Sequence, residues 1–515
     1  MKIKTVFFLA FLPVLILAQE PRSFVCGVEG ELGQLLQEQF RATRDQFYRE
    51  PSIAFRDVQY VPIVFHIVRR TDKTGGADVS DILDQLCDLN RDFAPMNMQF
   101  YLKDGTFNYI NNSAVYSNHV NTINSIMSLE KDNKALNVFL VENATPPSST
   151  GPGITLGYYY PVGGKDWVVI RDKEMESRNT TLSHELGHYF SLPHPHFGWE
   201  SDPWTVEKYG SRPAPVNSPL GQPTEKANGS NCDISGDEVC DTPPDYNGFG
   251  WPDCTYTLAA RDPDSVVINP DEELIMSYFL NCRRENYKFS PMQQEMMLTN
   301  LASNQRSSIR GTTPDNTTVL PANTRLVAPT AGQTLTVYDR VNLDWVPVEG
   351  ATFYLVEVDG LPTFSSLGKR SFIVEATGNS LVLDYLSPDK LYFWRVRPFN
   401  SLSTCLPFTG FQSFRTGLLT SVQNHIPGVN DWTLGPNPIG SGEQVFLSLQ
   451  SDGSFDGQVT WMDVQGRLLG PPTPVRITSG KNQLSLQLPQ TGKGVCFFVL
   501  QSDKGRISRK VMILN

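Results

Sequence analysis

His184-Glu185-Leu186-Gly187-His188, with His194 six residues further on, decides how this sequence is read. Two histidines four apart lie on one side of a helix, about one turn from each other. The glutamate after the first stands beside whatever the histidines hold. His194 adds a third neutral imidazole, so that three nitrogens face one zinc ion and a fourth position stays open for water. Zinc lowers the pKa of bound water from ~15.7 to about 7, and an adjacent carboxylate can take the proton as the water attacks a carbonyl. The expected chemistry is peptide-bond hydrolysis, with His184, His188 and His194 as ligands and Glu185 as base. An isolated H-E-x-x-H also arises by chance on ordinary helices. Against chance, the chain has only 7 histidines in 515 residues, and His184, His188, His194 and His196 share one short stretch. His196 competes with His194 as third ligand. The spacing favours His194 and leaves His196 just outside the set.

Composition narrows the classes further. A chain of 515 residues is too long for one core, so several domains are expected. The net charge of −11 and the absence of a Lys/Arg block exclude a nucleic-acid partner. Residues 1–4 carry two lysines, and Thr5 to Ala18 is almost wholly apolar. That run is too short to span a bilayer and has the layout of a signal peptide. No later stretch is apolar enough to cross a membrane. The chain is therefore expected to be exported. In that setting its 8 cysteines suggest disulfides. Cys232, Cys240, Cys254 and Cys282 follow the histidine motif closely and can pair in three ways. Cys26, Cys87, Cys405 and Cys496 are scattered, without an obvious local partner.

Outward from the motif, Thr180 to Ser191 reads as the histidine helix, with Asn179, Thr180 or Thr181 as caps. Upstream, Tyr60 to Val68 reads as a buried strand, Ser80 to Phe93 as a helix, and Met96 to Leu102 as a strand. Ala135 to Val141, Gly157 to Tyr160 and Trp167 to Ile170 also read as strands, and Leu32 to Phe47 as an amphipathic stretch. This order fits an α/β upper subdomain. Leu192 to about Tyr287 is loop-rich, a length usually functional or braced, and Ser290 to Ser303 reads as a closing helix. Beyond a polar linker at Arg310 to Asn323 the texture becomes alternating strands, as in Val341 to Trp345, Phe353 to Val358 and Phe393 to Arg397. After a second linker, strands follow again at Gln444 to Leu449, Gly457 to Val464, Gln483 to Leu488, Val495 to Leu500 and Ser508 to Leu514. The expected fold is multidomain, an α/β catalytic domain followed by two all-β sandwiches.

The histidine helix resembles that of the metzincins, and within them the pappalysin-like (cytophagalysin) branch. Leu274-Ile275-Met276-Ser277-Tyr278 resembles the Met-turn, which implies Met276 beneath the metal ligands and Tyr278 touching the ion or the tetrahedral intermediate. Gly236-Asp237-Glu238-Val239-Cys240-Asp241-Thr242-Pro243 is similar to that branch's calcium loop, which implies calcium on Asp237 and Thr242; hard oxygen donors suit that ion. Cys26-Gly27 resembles the latency switch, in which the cysteine sulfur occupies the fourth metal position until the segment is cut away, near Arg56 here. The match runs from about Cys26 to Met297. Two departures stand out. Where the family has glycine three residues after the second histidine, this chain has Ser191, and a serine takes that turn only at some strain. Asn281 precedes Cys282 where arginine-preferring relatives carry an acid, so an arginine preference is not implied.

Trp345 and Leu386-x-Pro388-x-x-x-Tyr392 resemble the core tryptophan and tyrosine corner of fibronectin type III modules, which implies a spacer. Pro436-Asn437-Pro438, Asp463 to Arg467, Gly494 to Phe498 and Arg509 to Leu514 resemble the C-terminal sorting domain of Bacteroidetes type nine secretion cargo. That implies the outer-membrane secretion machinery as a partner, and leaves Asn-x-Ser/Thr sites such as Asn179 and Asn316 without meaning for glycosylation. The expected layout is 1–18 signal peptide, 19–57 pro-segment, 58–312 zinc protease, 323–417 fibronectin-like module and 433–515 sorting domain. The expected function is a secreted zinc endopeptidase, made latent, acting on protein or peptide substrates. The rival is a non-catalytic secreted adhesin, against which the intact Glu185 speaks.

Overall fold

The computed structural model describes residues 24–28, 30–49, 57–147, 154–176, 179–248, 251, 253–314, 319, 324–418 and 426–514. The expected signal peptide, the processing point near Arg56 and Asn316 lie outside the described residues. The chain divides into two compact units, one of Met1–Gln333, Asn342–Leu381 and Leu391–Phe414, the other of Thr334–Val341, Val382–Lys390 and Arg415–Asn515.

The first unit is built on a twisted seven-stranded sheet: β1 (Phe24–Cys26), β2 (Gln59–Arg69), β3 (Met98–Leu102), β4 (Asn108–Asn111), β5 (Leu136–Val141), β6 (Ile154–Tyr160) and β7 (Trp167–Arg171). The order is β1-β6-β7-β5-β2-β3, with β4 also pairing β2. Every pairing is parallel except β6 with β7. Parallel strands buried on both faces read as continuous apolar runs, and all six residues of β5 are buried. The antiparallel β6 sits toward one edge, and its outer side is covered by the three residues of β1.

Helix α1 (Gly30–Arg49) and helix α2 (Val79–Phe93) supply apolar faces to this core through Leu32, Leu36 and Phe40, and through Ile82, Leu83, Leu86 and Leu89. Asp78 caps α2 by accepting the Ser80 N–H at 2.9 Å. The chain from Ser113 to Glu130 folds into short helical turns. The closing helix spans Pro291–Ala302 with a full capping box from Ser290 and Gln293.

The fibronectin-like strands form as expected: Phe353–Asp359 pairs antiparallel with both Arg370–Glu375 and Leu391–Phe399. The spacer expectation does not describe their setting. Leu355 and Phe399 belong to the same apolar cluster as the seven-stranded sheet. Cys405 is disulfide-bonded to Cys87 of α2, Arg397 bridges to Asp84 at 2.7 Å, and Ser371 donates to Asp78 at 2.9 Å. This region is cross-linked and packed onto α2. The loop-rich region carries Cys232–Cys240 and Cys254–Cys282, which settles the three-way choice. Cys26 and Cys496 are in no disulfide. No helix of the described residues is long and apolar enough to cross a membrane.

The second unit is all-β. Val429–Gly435, Gln444–Ser451 and Gly480–Gln487 form one antiparallel sheet. Phe455–Met462, Thr473–Ile477, Gly494–Ser502 and Gly505–Leu514 form the other. Alternate residues Val445, Leu447 and Leu449 point into a core with Trp461, Phe498 and Val511.

Two histidines far from the motif are buried in the first unit. His66 stacks on Phe139 and bonds Asn137 at 2.9 Å, and His119 bonds Tyr158 at 2.7 Å. Burial lowers both to about 4 from the usual 6.5. The unfolded chain therefore binds more protons below pH 6.5, and stability falls as pH drops from about 6.5 to about 4. The loss at pH 4 is of order 3 kcal/mol per histidine. Urea denaturation of the full chain at pH 7 and pH 4.5 measures it; the His66→Gln variant is expected to lose less across that interval than the unaltered chain.

Candidate metal centre

The histidine helix spans Thr181–Tyr189, and all nine residues are buried. It is three residues shorter than the sequence reading, one at its start and two at its end. Its first turn is capped by Asn179, whose side chain accepts the Thr181 N–H at 3.1 Å. It ends where Ser191 takes a left-handed φ of 76°. The N–H of Leu192 then reaches the Gly187 carbonyl at 2.9 Å, closing the turn that sends the chain back to His194. The strain of a serine there costs roughly 1–3 kcal/mol. Its hydroxyl is buried and donates to Thr43 Oγ1 of α1 at 3.1 Å.

That turn brings three imidazoles to one point. His194 Nε2 lies 3.2 Å from His184 Nε2 and 3.0 Å from His188 Nε2. His184 Nδ1 is 2.7 Å from the Ile275 carbonyl, and His188 Nδ1 is 2.6 Å from the Leu192 carbonyl. A carbonyl only accepts, so each Nδ1 carries the proton and each Nε2 presents a lone pair. Burial holds His184 down at about 4 and His188 and His194 well below the usual value, so the rings are neutral at pH 7. Lone pairs this close repel one another unless a cation stands between them. Four nitrogens or sulfurs at zinc bond lengths would set nitrogens roughly 3.3 Å apart. The observed spacing fits. Cys26 Sγ completes the group: one ligand atom from each of Cys26, His184, His188 and His194 lies within 4.8 Å of the others. These four residues can hold a metal ion.

Glu185 is buried beside the group. Its carboxylate is held by the Tyr159 backbone N–H and the Cys26 side chain, while Oε2 has no partner. Burial pushes it up to about 8. A Cβ at Gly157 of β6 would stand 2.9 Å from Glu185 Cγ, so the glycine makes room for it. His196 lies outside the four. It stacks on His194 with ring centres 4.7 Å apart, and its Nδ1 is 3.9 Å from the Asp245 carboxylate.

The segment from Leu274 to Tyr278 supports the site at three points. Ile275 orients His184 as described. Met276 is fully buried with its sulfur against the histidine helix, where a Cβ on Gly187 would collide with it. Tyr278 Oη lies 3.2 Å from His194 Nε2 and accepts the Cys26 N–H at 3.2 Å.

The N-terminal block covers all of this. Gly27 N–H donates to the Gly157 carbonyl at 2.8 Å, extending the β1–β6 pairing. Arg41 reaches Glu238 Oε1 at 2.6 Å, and Arg44 bridges to Glu238 Oε2. Asn300 of the closing helix donates to Thr43 at 3.2 Å. Asp237, next to Glu238, accepts the Val239 N–H and the Thr242 hydroxyl, each at 3.0 Å. The Glu225 carboxylate abuts Gly236. Burial raises Asp237 to about 8, and burial together with the neighbouring Asp237 and Asp245 raises Glu225 well above the carboxylate range. No ion pair among the described residues reaches Asp237 or Glu225. Sequence reasoning missed Arg41, Thr43, Arg44 and Glu225, which no motif marks, and passed over Glu238, which lies within the stretch from Gly236 to Pro243 without a role assigned to it.

No family model matches this sequence, and no curated protein matches it. Among solved structures, a mutant of Tannerella forsythia promirolysin is similar, at 18% identity over 56% of this chain and 97% of that one, with a TM-score of 0.35. The chicken CNTN1 FN1–FN3 domains are similar at 14% identity over 40% of this chain and 67% of that one, with a TM-score of 0.15. The fn3 domain of human contactin 1 is similar at 16% identity over 23% and 95%, with a TM-score of 0.17. Superpositions this loose carry no inference about the present chain.

Because Met276 fills the space a side chain at Gly187 would need, Gly187→Ala is expected to tilt the helix or expel the methionine. A loss of roughly 1–3 kcal/mol in stability and at least a tenfold loss in zinc affinity, by competition with a chromophoric chelator, are the expected outcomes.

Proposed function

We propose that this chain is a secreted zinc endopeptidase of the metzincin, pappalysin-like kind, held in a latent form by its own N-terminal segment. The observation that carries the reading is the convergence of three neutral imidazole lone pairs beside a buried carboxylate. His184, His188 and His194 would hold the ion, and Cys26 Sγ would take the fourth position until it is withdrawn. The chemistry a bound zinc supplies is polarisation of a carbonyl and acidification of a water. Glu185 accepts the proton of the attacking water and hands it to the departing amine. Tyr278, whose hydroxyl already lies against the ligand group, donates a hydrogen bond to the oxygen that gains charge. Met276 fixes the helix from below. The outer edge of β6, vacated by β1, would accept an extended peptide as an added strand.

Latency rests on three contacts of one block: the Cys26 sulfur, the occupied β6 edge, and the Arg41 and Arg44 pairs on Glu238. The Asp237–Thr242 loop would bind calcium, with Glu225 beside it; two buried carboxylates without a counter-charge favour a divalent cation. The three disulfides fit an extracellular protein. The apolar leader and the C-terminal all-β unit, read as a sorting domain, would deliver the chain to outer-membrane secretion machinery.

The test of the mechanism is Glu185→Ala in zinc-loaded protein freed of its N-terminal segment. Casein cleavage is expected to fall at least a thousandfold while one zinc per chain is retained; cleavage at the original rate would rule Glu185 out. For latency, a synthetic peptide of residues 24–49 is expected to inhibit the processed enzyme. The Glu238→Gln variant should weaken that inhibition at least tenfold, and equal inhibition of both forms would show that the arginine pairs do not anchor the block.

A further inference from the structure

A cavity of about 60 Å³ opens beside His184 and Glu185. Its other walls come from Leu156 of β6, Thr180 and Thr181 at the start of the histidine helix, and Ser277, Tyr278, Phe279 and Leu280, with Cys26 of the N-terminal block closing one side. Glu185 is the one carboxylate in the lining, and no lysine or arginine lines it. We propose that this cavity receives an uncharged, apolar side chain of the substrate, from a residue flanking the bond to be cut, and that Leu156 and Leu280 set that selection. The inference rests on the peptidase reading and adds the substrate class to it.

Three physical points carry it. The cavity touches the carboxylate assigned to proton transfer, so a side chain seated there belongs to a residue next to the reacting carbonyl. A cationic side chain entering it would meet Glu185 as its nearest counter-charge and tie up the base, and desolvating an unpaired ammonium or guanidinium elsewhere in the cavity is costly. A carboxylate side chain would be desolvated there with no lysine or arginine in the lining to pair with it. Leu156, Phe279 and Leu280 offer dispersion contact and water exclusion to a branched aliphatic or aromatic group. Asp245 is buried beside Ser277 and His196 and is not part of the lining. Leu156 and Leu280 are both half-buried, so either can be exchanged without opening the core.

The experiment is a peptide-library digest read by mass spectrometry. It uses full-length, zinc-loaded protein activated by limited trypsin and then quenched with a trypsin inhibitor. Glu185→Gln and Leu280→Asp proteins are treated identically. The expected result is enrichment of leucine-sized or aromatic residues at one position flanking the cut, by about tenfold or more over charged residues. Leu280→Asp should move that same position toward arginine and lysine. A basic preference in the unaltered enzyme overturns the proposal and points to Asp245 as the partner. So does a flat profile that Leu280→Asp leaves unmoved. Cleavage that survives in Glu185→Gln, or no cleavage by the unaltered enzyme, overturns the peptidase reading and this inference with it. That outcome is distinct from a working peptidase of the wrong preference.

Discussion

Three nitrogen lone pairs pointed at one another are the constraint on which the rest of this structure depends. Without a positive charge between them they repel, and in a buried site there is no solvent to screen the repulsion. The surrounding parts all serve to keep them there. Two carbonyls fix the tautomers of His184 and His188. A left-handed Ser191 turns the chain so that His194 can reach back. Met276 closes the space beneath Gly187. These contacts hold the three lone pairs in an arrangement that a cation bound between them would stabilise.

The same economy explains the N-terminal segment. Cys26 contributes a donor to the histidine cluster, β1 covers the exposed side of β6, and α1 packs its apolar face into the common core. The block is thus fastened at the site and again at a distance through Glu238. The Ser191 hydroxyl bonds to Thr43, so the residue at the turn also holds α1.

Much of this was legible in the sequence, and the reasons differ by part. The run from Tyr60 to Val68 is too apolar to be anything but a buried strand, and it is β2. Ser290 followed by Gln293 gave the closing helix its start, because capping is a local signal. The histidine spacing named three of the four side chains that meet, since they sit on a helix and the turn beyond it; Cys26 came only from the resemblance of Cys26-Gly27 to a latency switch. What could not be read depends on contacts between distant residues. Arg41 and Glu238 are 197 positions apart, and Cys87 and Cys405 are 318 apart. No periodicity encodes either. The turns between Ser113 and Glu130 were missed because each is too short to show a periodicity, and only the first, Ser113–Ser117, has a side-chain cap, from Asn112. The fibronectin-like strands were found from alternation, but alternation says nothing about which face meets a neighbour.

That neighbour relation has a consequence for how the molecule can be taken apart. Leu355 and Phe399 belong to the same apolar core as α2 and the seven-stranded sheet, and the Cys87–Cys405 bond ties their region to α2. A fragment ending after the closing helix would expose the apolar surface that Leu355 and Phe399 pack against, and would leave Asp84 without Arg397 and Cys87 without Cys405. A piece that keeps the histidines together with this shared core and its cross-link therefore extends past residue 405, and the cross-link itself forms only where thiols oxidise.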